Sequence, residues 1–388
     1  MPAPNPKLVE QLSKLPKNVR EQLDESGFDE KLFLDLAASL TEGGDAATRR
    51  QTRNTVKGEV TPPRPHEIVK IPPASSSERD AFRERGEEAL RNGELAFLTL
   101  AGGMATRMGG IVKALAEAWN GHSFLDLRLG ENKTASERAG RPIPLWLMTS
   151  EATHDALAAA LKEKGAPAHV GLFMQNLSLR LNPDGSLFLD DAGEPSIHAT
   201  GHGDVVDALR RSKLLDDFVA KGGKYVWITN IDNLGASIDP VLLGMFIAAS
   251  GSGAVQVQGE MTRKEGDKGG IPVHAEGCLQ VVEEFRLPKG FDPTTVNVFN
   301  TNTFLVRAEP LLKHPFTWTY FEVEKKVDGR PAIQYERLIQ EITAHLPSTF
   351  VEVGRDGAES RFLPVKDFDE LAKRRPTIEV VARARGMV

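Results

Sequence analysis

The chain has 388 residues, 40% of them hydrophobic and 26% charged, with a formal net charge of −6. That length accommodates one large α/β domain with appendages or two domains, and the negative balance argues against a broad electrostatic grip on nucleic acid. The single cysteine, Cys278, excludes an intrachain disulfide and a cysteine-built zinc site.

Residues 1–60 read as two or three short helices, with helical apolar spacing in "PKLVEQLSKL" and "EKLFLDLAASL". The N-terminus lacks the apolar core of a secretory signal, and no window reaches the ~18 apolar residues of a membrane span. A cytoplasmic protein with no membrane partner is therefore expected. "TPPRPHEIVKIPPASSSERD", residues 61–80, is rich in proline and serine and reads as a linker. A charged helix, "SERDAFRERGEEALRNG", then stops at Gly93.

From Leu95 the pattern alternates. "LAFLTLA", "PLWLMTS", "HVGLFMQ", "YVWITNIDN" and "GAVQVQGEM" read as strands. "HDALAAALKEKG", "DVVDALRRSKLLDDFVAKGG" and "DPVLLGMFIAAS" read as helices between them, the second as one long amphipathic helix. Strands alternating with helices predict a parallel sheet with right-handed crossovers. "HAEGCLQVVEEF" and "VNVFNTNTFLV" read as antiparallel insertions. "AIQYERLIQEITAHL" reads as a closing helix, and "TFVEV" and "SRFLPV" as two last strands. Ligands of such a sheet sit beyond the carboxyl ends of its strands. Those ends carry "AGGMATRMGG", "MTSEATH", "FMQN" and "NIDN".

The glycine-rich stretch after the first strand fits neither common phosphate loop. A Walker A loop needs lysine directly after the last glycine, and Lys113 comes too late. A dinucleotide fingerprint needs G-x-G-x-x-G, and Gly102 and Gly103 are adjacent. Taken alone it is either a strand-to-helix turn without a ligand or a bare backbone that approaches phosphates, with Arg107 and Lys113 neutralising charge.

The form L-A-G-G-x-x-T-R-M-G followed by a lysine resembles the signature loop of the UDP-glucose pyrophosphorylase (UTP–glucose-1-phosphate uridylyltransferase) family. The resemblance continues in order from about residue 90 to residue 375, through "IPLWLMTSEATHDAL", "LFMQN", "TGHGDVVDALRRSKLLD", "ITNIDNLGASIDP", "KGGIPVHAEGCLQVVE", "FNTNTF" and "FLPVKDFDEL". The chain departs from the family at Val112, where a proline usually precedes the lysine. It departs again at Gly103-Met104-Ala105-Thr106, where Gly-Leu-Gly-Thr is frequent, so nucleotide preference stays open.

The resemblance implies a three-layer α/β/α nucleotide-diphospho-sugar transferase fold, GT-A-like, with a mixed, mostly parallel sheet. It divides the chain into an N-terminal helical cap and linker (1–80) and a catalytic nucleotidyltransferase domain (81–388). The C-terminal β-helix of eukaryotic members is not expected, and a monomer is the working expectation. The implied reaction joins UTP to a sugar 1-phosphate, most simply glucose 1-phosphate, with release of pyrophosphate. A UDP-N-acetylhexosamine pyrophosphorylase and a non-catalytic UTP-binding regulatory module are the alternatives.

The implied roles fall on particular residues. Asp232, at the end of a strand on the ligand edge, is the expected Mg²⁺ ligand, and its competing role is a turn aspartate. Lys113, Lys366 and Arg107 are the expected phosphate cations. Ala101, Gly102, Gly103 and Gly201 would offer backbone to the nucleotide. Gln175 and Met148 would form the uracil pocket, although Met148 reads equally well as a core residue. His202, Asn230, Gly269, Gly270, Glu276 and Asn302 resemble the sugar-facing residues. Asp204 reads as the N-cap of a helix rather than a catalyst.

Overall fold

The computed structural model of the chain describes residues 5–41, 45–105, 108–251 and 253–388. It opens with α1 (Pro6–Ser13), α2 (Lys17–Glu25), α3 (Glu30–Ala38) and α4 (Ala46–Asn54). Asn5, Asp29 and Asp45 cap α1, α3 and α4 by accepting from backbone N–H groups in the first turn. The expected linker contributes β1 (Ile68–Lys70) to the edge of the main sheet. Then α5 (Ser77–Asn92) ends at Gly93, left-handed with φ 73°.

The central run comprises β2 (Leu95–Leu100), β3 (Met104–Ala105), β4 (Ile111–Val112), β5 (Glu117–Trp119), β6 (His122–Ser123), α6 (Phe124–Ala139), β7 (Leu145–Thr149), α7 (Glu151–Glu163) and β8 (Val170–Met174). It is followed by β9 (Leu177–Leu179), β10 (Ile197–Ala199), α8 (Val205–Ser212), α9 (Leu214–Ala220), β11 (Tyr225–Asn230), α10 (Pro240–Ser250) and β12 (Val257–Arg263). The last part holds β13 (Ile271–Ala275), β14 (Cys278–Val282), β15 (Val298–Arg307), α11 (Ala308–Lys313), β16 (Phe321–Val327), β17 (Arg330–Glu336), α12 (Ile342–His345), β18 (Ser348–Glu352) and α13 (Phe368–Ala384).

Among the described residues the main sheet has the order β1-β18-β12-β15-β11-β2-β7-β8. β15 runs antiparallel to both its neighbours, and the other pairings are parallel. β2 is buried at every position, which explains why it is apolar at all positions but Thr99: a strand covered on both faces has no solvent side to be polar. Phe97, Leu147 and Trp227 feed one apolar layer. Leu98, Trp146 and Ile228 feed the layer on the opposite face. The N-terminal helices bury Leu8, Leu12, Leu23 and Phe33 in a separate cluster with Leu177, Leu179 and Ile333.

The structure departs from the sequence reading in four places. Lys213, at φ 66°, breaks the expected long helix into α8 and α9. β15 is no insertion but sits inside the sheet. Of the expected closing helix over 332–346, residues 332–336 belong instead to β17, paired with β16 across Asp328 and Gly329, both at positive φ, and helix is confined to residues 339–345. That Asp-Gly pair is the turn chemistry of a tight hairpin, and it overrides the helical look of the sequence. "SRFLPV" forms no strand. Arg361 N–H bonds Gly354 and Leu363 N–H bonds the Asn233 side chain, so this apolar run finds its partners outside a ladder.

Candidate active site

The glycine stretch after β2 folds into a β-hairpin, β3 against β4, rather than a strand-to-helix turn. Ala101 N–H donates to the Met148 carbonyl at 2.7 Å, which ties the loop to β7. A Cβ on Gly102 would lie 3.0 Å from Gln175 Oε1 and 3.1 Å from Ser150 N, so the close packing itself requires glycine. A Cβ on Gly103 would meet nothing, and the Gly103 carbonyl accepts from Lys113 N–H at 3.1 Å. The hairpin thereby returns Lys113 to the end of β2. Arg107, expected as a third cation, lies outside the described residues.

Lys113, Asp232 and the Lys366 segment converge. Lys113 Nζ lies 2.6 Å from Asp232 Oδ2, and the Val365 N–H reaches the same oxygen at 3.4 Å. Lys366 itself is exposed, and among the described residues its ammonium makes no ion pair. Asn230, at the end of β11, accepts from Asn302 Nδ2 at 3.0 Å. Asn302 stands at φ 58° where the pairing of β12 with β15 shifts register, and this irregularity aims its amide at Asn230.

His202 is held from behind. Its Nδ1 accepts from Ile339 N–H at 3.0 Å, and burial lowers its pKa from 6.5 to about 4. The ring is therefore neutral at pH 7, with the proton on Nε2. Gly201, at φ 96°, would bring a Cβ to 2.5 Å from the Arg337 carbonyl, and one on Gly203 would lie 2.6 Å from Leu338 N. These glycines serve backbone contact with the segment after β17. Asp204 occupies the N-cap position of α8 but makes no capping bond. Its carboxylate is fully buried and binds Arg337 Nη2 at 2.6 Å and Thr200 Oγ1 at 2.6 Å instead. An arginine pair outcompetes a helix N-terminus for a buried carboxylate.

The remaining expected residues separate. Gln175 stands over Gly102, and among the described residues its amide makes no side-chain hydrogen bond, so both its ends are free for a base edge. Met148 is 1% exposed inside the apolar layer, so its side chain is not at a surface where a base would lie. Gly270 sits at the base of the β13–β14 hairpin, its carbonyl accepting from Asn300 N–H, with Gly269 beside Phe299. Glu276 is at the exposed tip of that hairpin, where it accepts from Lys57 N–H, and it is not brought to the site. The carboxylate at the base is Glu283, which the sequence reading passed over. It accepts from Gln340 Nε2 at 2.6 Å and from Gly270 N–H. Burial, then the charge of Glu284, push its carboxyl above the ordinary range. Glu283 lies directly across the hairpin from Gly270, one position beyond the Ile271–Val282 pair, so only the register of the hairpin would have found it.

The donor set suits one kind of metal. Among the described residues no group of three or more His, Cys, Asp or Glu side chains gathers as a site. Asp232 offers a single carboxylate, whose Oδ1 has no partner among the described residues. Mg²⁺ is commonly held by one or two carboxylates plus substrate phosphates and water, so the set fits Mg²⁺ carried on a nucleotide and not a metal caged by protein.

The mixed sheet, with its glycine hairpin and the Lys113–Asp232 pair on the carboxyl edge, defines the nucleotide-sugar transferase class of α/β fold. The chain belongs to the UTP–glucose-1-phosphate uridylyltransferase family, whose profile matches residues 46–378. The UTP–glucose-1-phosphate uridylyltransferase of Solanum tuberosum is 30% identical over 297 residues, covering 72% of this chain and 60% of that protein. A Dictyostelium discoideum relative of the same name is 32% identical over 302 residues, covering 72% and 57%. The chain thus spans about 60% of the length of the curated relatives it matches. In fold it is similar to Leishmania major UDP-glucose pyrophosphorylase solved with UDP-glucose, with a TM-score of 0.70 at 21% identity over 95% of this chain and 79% of that one. It is similar to Trypanosoma brucei UDP-N-acetylglucosamine pyrophosphorylase at TM-score 0.69 and 20% identity, covering 95% and 84%. Among the described residues no helix is long and apolar enough to cross a membrane.

Proposed function

We propose that this chain is a cytoplasmic, Mg²⁺-dependent uridylyltransferase that forms UDP-glucose and pyrophosphate from UTP and glucose 1-phosphate. One observation carries the reading: Lys113, Asp232 and the Lys366 segment meet beside Gly102 and Gln175 at the carboxyl edge of the sheet. A phosphate oxygen of glucose 1-phosphate attacks the α-phosphorus of UTP. The new P–O bond forms as the bond to the β-phosphate oxygen breaks, and pyrophosphate leaves with that electron pair. The nucleophile is already an anion, so positioning and charge neutralisation do the work and no strong base is needed.

Gln175 reads the uracil edge and Gly102 admits the nucleotide. Lys113 faces the α- and β-phosphates, and Lys366 reaches them from the other side. Asp232 holds Mg²⁺, which when bound neutralises phosphate charge. Neutral His202, Asn230, Asn302 and Glu283 surround the sugar. The segments "GHGD" and "NIDNLG" support glucose over an N-acetylhexosamine.

Pyrophosphate release tests this, with UTP and other NTPs offered against glucose, galactose and N-acetylglucosamine 1-phosphates. Release with UTP and glucose 1-phosphate is expected. Release with another sugar alone moves the specificity, and UTP binding without any release replaces the enzyme with a binding module.

A further inference from the structure

Asp232 and Lys366 come from segments far apart in sequence, yet a dense set of bonds joins those segments. Asn233, 1% exposed, donates from Nδ2 to the Arg361 carbonyl at 3.2 Å and accepts at Oδ1 from Leu363 N–H at 2.8 Å. One amide thus completes, with a side chain, the pairing that a neighbouring strand would give the 361–363 backbone. Val365 N–H continues the contact onto Asp232 itself. The two backbones touch: a Cβ on Gly235 would fall 2.6 Å from the Arg361 carbonyl carbon.

Two guanidinium groups, Arg385 half-buried and Arg128 fully buried, close the arrangement. Arg385 donates through Nη1 to the Gly235 carbonyl and through Nη2 to the carbonyls of Ala358 and Ser360, at 3.1 and 2.6 Å. It therefore bonds both segments at once. Arg128, 0% exposed on α6, donates to the carbonyls of Asn233 and Ala236 from below. The end of α13 is seated on α6 by the bond from Thr134 Oγ1 to the Gly386 carbonyl, which fixes where Arg385 can reach.

We propose that Asn233 and Arg385 are positioning residues that lock the Asp232 loop to the Lys366 segment, so that the metal-binding carboxylate and the far phosphate cation keep one fixed separation. The inference rests on the phosphate role proposed for Lys366. A cation held within a fraction of an ångström of a phosphate oxygen is worth far more than one on a free loop, because its ordering is complete before the reaction.

A double-mutant cycle on kcat tests it, with Lys366→Ala, Asn233→Ala and the pair. Asn233→Ala alone is expected to lower kcat roughly tenfold or more. In the Lys366→Ala background the same change is expected to cost less than about threefold, since there is no ammonium left to misplace. Equal losses in both backgrounds would mean a merely structural role and overturn the proposal, as would no loss in either. Should Asn233→Ala not fold, Arg385→Lys enters the same cycle, with the same expectation and the same overturning result. A silent Lys366→Ala overturns the proposal while leaving turnover, and so the proposed function, intact. Should the unmodified chain release no pyrophosphate, the proposed function fails. The cycle is then read on UTP affinity by calorimetry, where equal losses again overturn the clasp.

Discussion

Lys113 Nζ and Asp232 Oδ2 lie 2.6 Å apart, with side chains 20% and 11% exposed. An ammonium at that distance competes with a divalent cation for the same oxygen. Both charges cannot share it at close range without strong repulsion. Were Mg²⁺ to arrive on a nucleotide, Asp232 would hold it, and the phosphates would offer the Lys113 ammonium a second partner.

Lys113→Ala should therefore move two quantities in opposite directions. Pyrophosphate release should fall by at least ~10²-fold, the scale of losing one preorganised charge on a transferring phosphate. Affinity for Mg²⁺ without nucleotide, read by calorimetry or with Mn²⁺ as a spin probe, should rise. A fall in both would mean that Lys113 helps build the metal site instead of competing with it.

Asp232→Asn keeps the shape and removes the charge. The expected result is a lower kcat together with a higher Mg²⁺ concentration for half-maximal rate. The amide can still accept from Val365 N–H, so the Lys366 segment should stay in place. An unchanged metal titration would remove Asp232 from the ligand set.

Legibility followed the kind of physics involved. β2, β7 and β11 were readable because strands buried on both faces are largely apolar, and β8, a half-buried edge strand, was readable from its short apolar run. α5 was readable because Ser76 and Gly93 cap its ends in sequence. The Lys113–Asp232 meeting was readable only through the order of motifs, since nothing local says that a hairpin returns Lys113 to the end of β2. Glu276 rests on the family resemblance alone, and nothing local in the sequence says that the hairpin turns it outward and sets Glu283 opposite Gly270. Asp204 looked like a cap because its Arg337 partner is remote in sequence. Asn233 and Arg385 gave no signal at all: their partners are backbone carbonyls and amides, which carry no sequence identity.

Gly102→Ala probes the nucleotide end. The added methyl would lie 3.1 Å from Ser150 N and 3.0 Å from Gln175 Oε1. The backbone nitrogen cannot yield much, so the flexible amide must turn away, and with it the proposed reader of uracil. The KM for UTP should rise several-fold, with a smaller change in kcat at saturation, the mark of a lost ground-state contact. A changed kcat with an unchanged KM would place Gly102 against the transferring phosphate and not the base.

The last prediction concerns pH. His198 and His202 both have pKa values lowered by burial from 6.5 to about 4. Between those two values the unfolded chain binds protons that the folded chain does not. Stability therefore rises with pH from about 4 to about 6.5 and gains nothing more from these residues above that. His202→Gln keeps an acceptor for Ile339 N–H and removes the titration, so the slope of unfolding free energy against pH in that window should fall by close to one proton. Urea unfolding at a series of pH values from 4.5 to 7 measures it. The same neutrality predicts that kcat shows no limb near pH 6.5 belonging to His202. If such a limb is present in the unmodified chain and absent in His202→Gln, the imidazole titrates with substrate bound and passes a proton, and its assignment as a fixed neutral donor is wrong.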